Sequence, residues 1–142
     1  MKNIHILSKL ATLKKKECIH KIFNFNFFNE GEVLDNGIIP NCKTIGCLAG
    51  ELPAIDPIWS FNTNGGLLYK HYSNLSTSLS LSEYFDLPLY IIQHIFYPYN
   101  QDKQIDPNCK DLYNNSTFEE VQNNLKSYLT HNNIDYLKLS KS

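Results

Sequence analysis

Apolar residues near the start of the chain recur with the period of an α-helix. Ile6, Leu10 and Leu13 fall at positions i, i+4 and i+7, which predicts a helix over roughly residues 3–16. Residues 14–16 are three lysines, and cations in the last turn of a helix are favoured by its dipole. The first element is therefore expected to be an amphipathic helix with a solvated, basic end.

The second half of the chain carries two further helical patterns with marked boundaries. A helix that ends before Pro98 is predicted by apolar residues at i, i+3 and i+7. These residues are Leu89, Ile92 and Phe96. Thr117 and Glu120 have the spacing of a capping box, which predicts the start of a last helix. Its apolar face comprises Phe118, Val121, Leu125, Tyr128 and Leu129.

Shorter or less regular segments accompany these helices. Residues 80–83 also fit a capping box and predict a short helix that starts there. Residues 98–115 are polar and are expected to form a loop. Residues 131–142 are expected to form a loose tail, with two apolar side chains that can dock on the core, those of Ile134 and Leu137.

The first half of the chain mixes two periodicities. Residues 21–28 alternate between phenylalanine or isoleucine and polar residues, which predicts a half-buried strand. Residues 44–52 are expected to form a tightly buried helix closed by Pro53, because their small residues share one face. These small residues are Gly46, Ala49 and Gly50. The turn signal Asn64–Gly66 favours a hairpin between its flanking apolar residues.

Together these patterns predict the fold class. We expect a small α+β domain that is mainly helical, with four to five helices and a short strand or hairpin. The chain has 142 residues, of which 42% are hydrophobic, and this is enough to bury one core. Residues 1–142 are therefore expected to form a single globular domain.

Charge and composition narrow the classes of partner. The net charge is −1, all 13 basic residues are lysines, and arginine is absent. Without arginine, the chain has no guanidinium group that could form two parallel hydrogen bonds to a phosphate or a guanine. We therefore expect no nucleic-acid partner. No apolar run approaches the roughly 18 residues of a membrane span, and the N-terminus lacks the order of a secretory signal. We expect a cytoplasmic protein with no membrane contact and no cofactor.

Cysteine chemistry is the first candidate function. The chain has four cysteines, which a cytoplasmic setting keeps as reduced thiols: Cys18, Cys42, Cys47 and Cys109. Cys47 or Cys42 near a predicted helix start is a candidate nucleophile, since a helix N-terminus stabilises a thiolate. The candidate bases are His94 and His71. The opposing and favoured interpretation is a thiol buried in a glycine- and alanine-rich helix.

A zinc site is the second candidate. Zinc takes four ligands, which usually arrive as two close pairs in the sequence. Cys42 and Cys47 form one close pair, whereas His94 and Cys109 are far apart. These four residues are therefore weak candidates, and no metal is expected.

Tyrosines are the remaining chemical signal. The chain has nine, and Tyr97 and Tyr99 flank a proline in the predicted polar loop. With Trp59 they are candidates for a protein-contact surface, because aromatic side chains form contacts at low entropic cost. The competing interpretation places these rings in the core.

One motif resembles a known group of proteins. The residues that carry it are Cys42, Lys43, Thr44, Ile45, Gly46, Cys47, Leu48, Ala49 and Gly50. They are similar to the signature C-G-T-x-x-C-x-x-G-W/H of small uncharacterised proteins from bacteriophages, prophages and some bacteria. The order of later segments is similar as well, namely Tyr84–Leu87, Ile95–Phe96 and Thr117–Val121. The resemblance covers about residues 4–130; it implies a viral or mobile-element setting and assigns no catalytic residue.

These observations lead to one expected function and one alternative. We expect a non-catalytic accessory or protein-binding module, encoded by a phage or mobile element, that modulates a host factor in the host cytoplasm. The 17 asparagines and the absence of arginine are typical of AT-rich coding and agree with that setting. The alternative is a cysteine-dependent hydrolase or transferase that uses Cys47 or Cys42 with a histidine. The sequence leaves the partner and the oligomeric state open.

Overall fold

A computed structural model gives the fold of the protein, and it describes residues 1–17, 22–23, 45–46, 48–61, 67–71 and 75–141. The helices in this part of the chain are α1 (Ile4–Thr12), α2 (Leu52–Ile55), α3 (Thr77–Phe85), α4 (Leu89–Phe96), α5 (Phe118–His131) and α6 (Tyr136–Leu139). The strands are β1 (Ile22–Phe23), β2 (Ile45–Gly46), β3 (Trp59–Phe61) and β4 (Leu67–Tyr69). The expected small, mainly helical α+β fold is confirmed.

The first helix is shorter than its sequence pattern. It ends at Thr12, because Leu13 adopts an extended conformation with φ −63° and ψ 130°. The lysines at 14–16 therefore follow the helix, and Lys15–Glu17 form a 3₁₀ turn. The prediction that these lysines occupy the last helical turn is wrong.

The prediction of a helix over residues 44–52 is also wrong for its first half. Ile45 and Gly46 form β2, which pairs in parallel with β1 in the register Ile22–Ile45 and Phe23–Gly46. Helical structure begins with a 3₁₀ turn at Ala49–Glu51 and continues as α2. Proline lies in the first turn of α2, where its missing N–H costs no hydrogen bond, so Pro53 starts a helix instead of ending one.

The predicted hairpin is confirmed. Strands β3 and β4 are antiparallel, with Trp59 opposite Tyr69 and Phe61 opposite Leu67. Both strands alternate between buried and half-buried residues, as expected for a sheet with one face on the core. The turn signal Asn64–Gly66 and most of the strand predicted at 21–28 lie outside the described residues.

Capping residues set the boundaries of the later helices. α3 begins one turn earlier than predicted, because the Ser76 hydroxyl accepts the Leu79 N–H at 3.4 Å. Ser80 is therefore a buried residue inside this helix. α4 ends before Pro98, as predicted. The capping box of α5 is confirmed, since Thr117 Oγ1 accepts the Glu120 N–H at 3.1 Å and Glu120 Oε1 accepts the Thr117 N–H at 2.9 Å.

The core joins both ends of the chain. α1 packs against α5 and α6, and Gln122 Nε2 donates to the carbonyls of Leu10 and Leu13 at 3.1 and 2.7 Å. The tail expected to be loose carries α6, and Ile134 packs against the core. Leu137, the other predicted docking residue, is 61% exposed. No helix in the described part of the chain combines the length and apolarity required to cross a membrane.

Candidate functional site

The segment between α4 and α5, residues 97–117, has no helix or strand, yet it is closely hydrogen-bonded; we call it the α4–α5 loop. The Gln101 side chain links the beginning of this loop to its second half by hydrogen bonds. Its Nε2 donates to the Tyr97 carbonyl at 2.6 Å, and its Oε1 accepts the Leu112 N–H at 3.0 Å. Leu112 in turn accepts the Tyr99 N–H at 3.0 Å. The two arms of the loop are thereby held against each other.

Asn124 on α5 attaches the second half of the loop, at Lys110, to that helix. Its Oδ1 accepts the Lys110 N–H at 3.0 Å, and its Nδ2 donates to the Lys110 carbonyl at 2.6 Å. Ser116 accepts the Tyr113 N–H at 2.8 Å near the end of the loop. Side-chain groups thus satisfy backbone groups that a regular element would pair with each other.

His94 on α4 holds the first half of the loop, at Asp102. It is 1% exposed, and its Nδ1 accepts the Asp102 N–H at 3.0 Å. The accepting nitrogen carries no proton, so the proton of the neutral ring is on Nε2. Burial lowers the pKa of His94, while the charges of Asp106 and Asp102 oppose this shift. His94, suggested by the sequence as a candidate base, is thus a buried histidine with a backbone partner.

A cleft of about 330 Å³ lies where α4, the loop and α5 meet. Its apolar lining comes from Ile91 and Ile105. Its polar lining consists of two tyrosines, two amides and one carboxylate: Tyr90, Tyr128, Gln104, Asn132 and Asp102. Ligand sites are usually lined by apolar and aromatic side chains with a few polar groups, and this cleft has such residues at the small end of the size range.

The two tyrosines of the cleft differ in exposure. Tyr90 is 61% exposed, whereas Tyr128 is buried and its ring centroid is 5.9 Å from that of His94. Burial raises the pKa of Tyr128, and the neighbouring Tyr90 adds to that rise. Neither hydroxyl forms a hydrogen bond with a described residue. Both are therefore free to bind a group that enters the cleft.

A second aromatic feature lies on the loop itself. Tyr99 and Tyr113 are 65% and 49% exposed, and their rings meet edge to face with centroids 5.7 Å apart. Tyr99 has a positive φ of 66°, a backbone conformation that residues other than glycine adopt at a cost in free energy. Tyr97, which the sequence also suggested, is half-buried and packs against the core.

Trp59, the third residue suggested for a contact surface, lies in the core. It is 2% exposed, stacks on Tyr69 at 5.0 Å and meets the edge of Tyr84 at 5.2 Å. The Tyr84 hydroxyl donates to Asp56 Oδ2 at 2.7 Å. This cluster corrects the prediction for Trp59, because a side chain sealed by these rings cannot meet a partner.

The structure adds little evidence for the candidate cysteine nucleophile or for the candidate zinc site. Cys18, Cys42 and Cys47 lie outside the described residues. Cys109 is buried, and burial raises the pKa of its thiol, which is opposite to what a nucleophile needs. His71 is exposed and contacts the edge of the Tyr69 ring. Within the described ranges, no group of three or more histidine, cysteine or acidic residues can hold a metal ion.

The sequence did not indicate the cleft residues. Only Asp102 left a local signal: its Oδ1 accepts the Gln104 N–H at 2.8 Å, an Asx turn that the Asp-x-Gln spacing permits. Tyr90 follows the apolar residue that begins α4 and lies off its buried face. Tyr128 lies in the last turn of α5 and Asn132 is the C-cap of that helix, so their place in the cleft depends on how α4 and α5 pack.

Comparison of the chain with known protein families, with curated proteins and with solved structures finds no match. The motif at residues 42–50 therefore remains a resemblance carried by the sequence alone.

Proposed function

We propose that this chain is a non-catalytic protein-binding module that uses the Tyr99–Tyr113 pair as its contact surface. The phage or mobile-element origin, the action on a host factor and the cytoplasmic setting belong to the same proposal, and the motif at residues 42–50 supports them. The observation that carries the binding role is the exposure of two tyrosines in contact, on a loop whose backbone is hydrogen-bonded to the side chains of Gln101 and Asn124.

Physical chemistry favours this use of the pair. Tyrosine supplies a large contact area with only two side-chain torsions, so little entropy is lost when it is immobilised in an interface. The loop backbone is already ordered by Gln101 and Asn124, which lowers the cost further. Exposed aromatic side chains of this kind are enriched among the residues that dominate binding energy.

The described chemistry supports a non-catalytic role. The buried Cys109 thiol has a raised pKa, and His94 already uses Nδ1 to accept a backbone N–H. The alternative, a cysteine-dependent hydrolase or transferase, requires Cys42 or Cys47; both lie outside the described residues, so that alternative stays a prediction.

Site-specific photo-crosslinking in cells of the native host tests the proposal. A benzoylphenylalanine at Tyr99 or Tyr113 is expected to form an adduct with the same host protein. The matched control is Leu137, which lies on α6 and is 61% exposed, between Tyr113 and Tyr99. The double variant Tyr99→Ser, Tyr113→Ser is expected to reduce co-purification of that protein about tenfold or more. Adducts of equal yield at Leu137, or none at either tyrosine, would refute this contact surface.

A further inference from the structure

We infer that the cleft between α4, the α4–α5 loop and α5 binds a cationic side chain, the ammonium of a lysine or the guanidinium of an arginine, presented by the protein partner. This inference deepens the proposed function and rests on it. It concerns a second contact point, separate from the Tyr99–Tyr113 pair.

The charge of the cleft favours a cation. Among the described residues that line the cleft, Asp102 is the only acidic or basic one. One of its oxygens accepts the Gln104 N–H, and the other forms no hydrogen bond with the described residues. No described lysine or histidine forms an ion pair with it. The neighbouring lysine, Lys103, donates its ammonium group to the Cys109 carbonyl instead. An entering cation therefore meets an exposed carboxylate that forms no ion pair with the described residues.

The aromatic lining points the same way. Tyr90 and Tyr128 bring two electron-rich rings to the cleft, and cations are attracted to the faces of such rings. The Asn132 side chain donates its Nδ2 to the Tyr128 carbonyl at 2.8 Å, which leaves its amide oxygen as an acceptor. An anion would gain none of these contacts and would face the Asp102 carboxylate.

The carboxylate is held in place before any ligand arrives. The Asp102 N–H donates to His94 Nδ1, and the Asp102 carbonyl accepts the N–H groups of Ile105 and Asp106 at 3.0 and 3.1 Å. Its backbone is thus held on both sides. A fixed carboxylate binds a cation without paying the entropy of ordering the loop.

The size of the cleft suits one side chain. At about 330 Å³ it has room for a lysine or arginine head group with part of its stem. Ile91 and Ile105 offer apolar surface to the methylene stem, as expected for a side chain that carries its charge at the end of an apolar chain.

NMR titration of the full chain with Nα-acetyl-lysine methylamide tests this inference. The amide signals of Tyr90, Asp102 and Asn132 are expected to shift as the probe is added and to reach a plateau at saturation. The corresponding norleucine and glutamate derivatives, which have the same blocking groups, are expected to leave these signals unchanged. Asp102→Asn is expected to weaken binding of the lysine probe about fivefold or more, because the neutral amide keeps the shape and removes the charge.

The matched control is Asp111→Asn, which makes the same charge change on an exposed residue of the same loop outside the cleft. Its binding is expected to stay within about twofold of the original chain. Equal shifts with the norleucine probe, or equal weakening by Asp111→Asn, would overturn the cation site.

The crosslinking experiment separates this inference from the proposed function. If Asp102→Asn abolishes probe binding and lowers the yield of the Tyr99 adduct with the host protein, both stand. If the adduct forms equally in the Asp102→Asn chain, the cleft is no part of the interface, and the inference fails while the proposed function stands. If the probe binds but no adduct forms at either tyrosine, the proposed function fails while the cleft keeps its affinity for a cation.

Discussion

Around Trp59 the tyrosine rings are packed inside the protein, whereas Tyr99 and Tyr113 of the α4–α5 loop lie at its surface. Tyr69 and Tyr84 enclose the tryptophan, and Tyr84 satisfies its hydroxyl with Asp56. Tyr99 and Tyr113 contact each other but remain 65% and 49% exposed. The difference teaches that residue type alone does not separate a core from a contact surface; the packing of neighbouring elements does.

The two regions are also stabilised differently. The Trp59 cluster depends on burial of apolar area, which is the dominant favourable contribution to folding. The α4–α5 loop depends on side chains that satisfy its backbone, above all Gln101 and Asn124. A lost hydrogen bond of this kind leaves a partly buried polar group unpaired, which costs more than the net contribution of the bond itself.

Removing Trp59 should have the largest effect. Trp59→Ala deletes a fully buried ring and leaves a cavity between Tyr69 and Tyr84, so the free energy of unfolding should fall by about 3–5 kcal/mol. Urea unfolding followed by circular dichroism measures this loss. Trp59→Phe, which keeps most of the volume, should cost clearly less; equal costs would show that packing around this residue does not stabilise the domain.

Removing the amide of Gln101 should have the next largest effect. Gln101→Ala leaves the Leu112 N–H and the Tyr97 carbonyl without their partner, and the free energy of unfolding should fall by about 1–3 kcal/mol. The matched change Gln104→Ala, at an exposed position of the same loop, should stay within about 0.5 kcal/mol. A similar loss for both variants would mean that the loop is not held by Gln101.

The same substitution in both regions compares them directly. Tyr84→Phe removes the hydroxyl that donates to Asp56 and should reduce stability by about 1–2 kcal/mol. Tyr99→Phe removes a hydroxyl from an exposed ring and should change stability by less than about 0.5 kcal/mol. Denaturant melts of the two variants check this contrast, and a larger loss for Tyr99→Phe would reverse the assignment of core and surface.

Acid should weaken the loop gradually. Because the folded-state pKa of His94 is lowered below its ordinary value of 6.5, the unfolded chain binds the proton more readily. The contribution of His94 is therefore complete above pH 6.5 and is lost as pH falls below that value, by at most about 1.4 kcal/mol per pH unit. His94→Gln should remove this component of the pH dependence of unfolding, whereas the exposed His5→Gln should preserve it.

Local signals in the sequence predicted the elements that local contacts determine. The Thr117–Glu120 capping box and the apolar face of α5 act within one helix, and the structure confirms both. The stop before Pro98 is equally local. The hairpin of β3 and β4 needs only a turn signal and two short apolar runs.

The errors and omissions arose where distant residues decide. Ile45 and Gly46 pair with residues more than 20 positions earlier, and this pairing overrides the helical pattern around Gly46. Ser76 and Ser80 are both residues of a type that caps helices, and the packing of α3 selects the earlier one as its N-cap. The cleft combines Asp102 with residues of two helices, so its composition could not be derived from spacing along the chain.

The central claim is that the α4–α5 loop is an ordered platform for its tyrosines, and native-state hydrogen exchange of its amides tests it most directly. The N–H groups of Asp102, Lys110 and Leu112 donate to His94, Asn124 and Gln101 respectively. We expect them to exchange far more slowly than the exposed amides of the same loop, and Gln101→Ala to accelerate exchange at Leu112 first. Exchange of all three amides at the rate of an unstructured peptide would contradict the account.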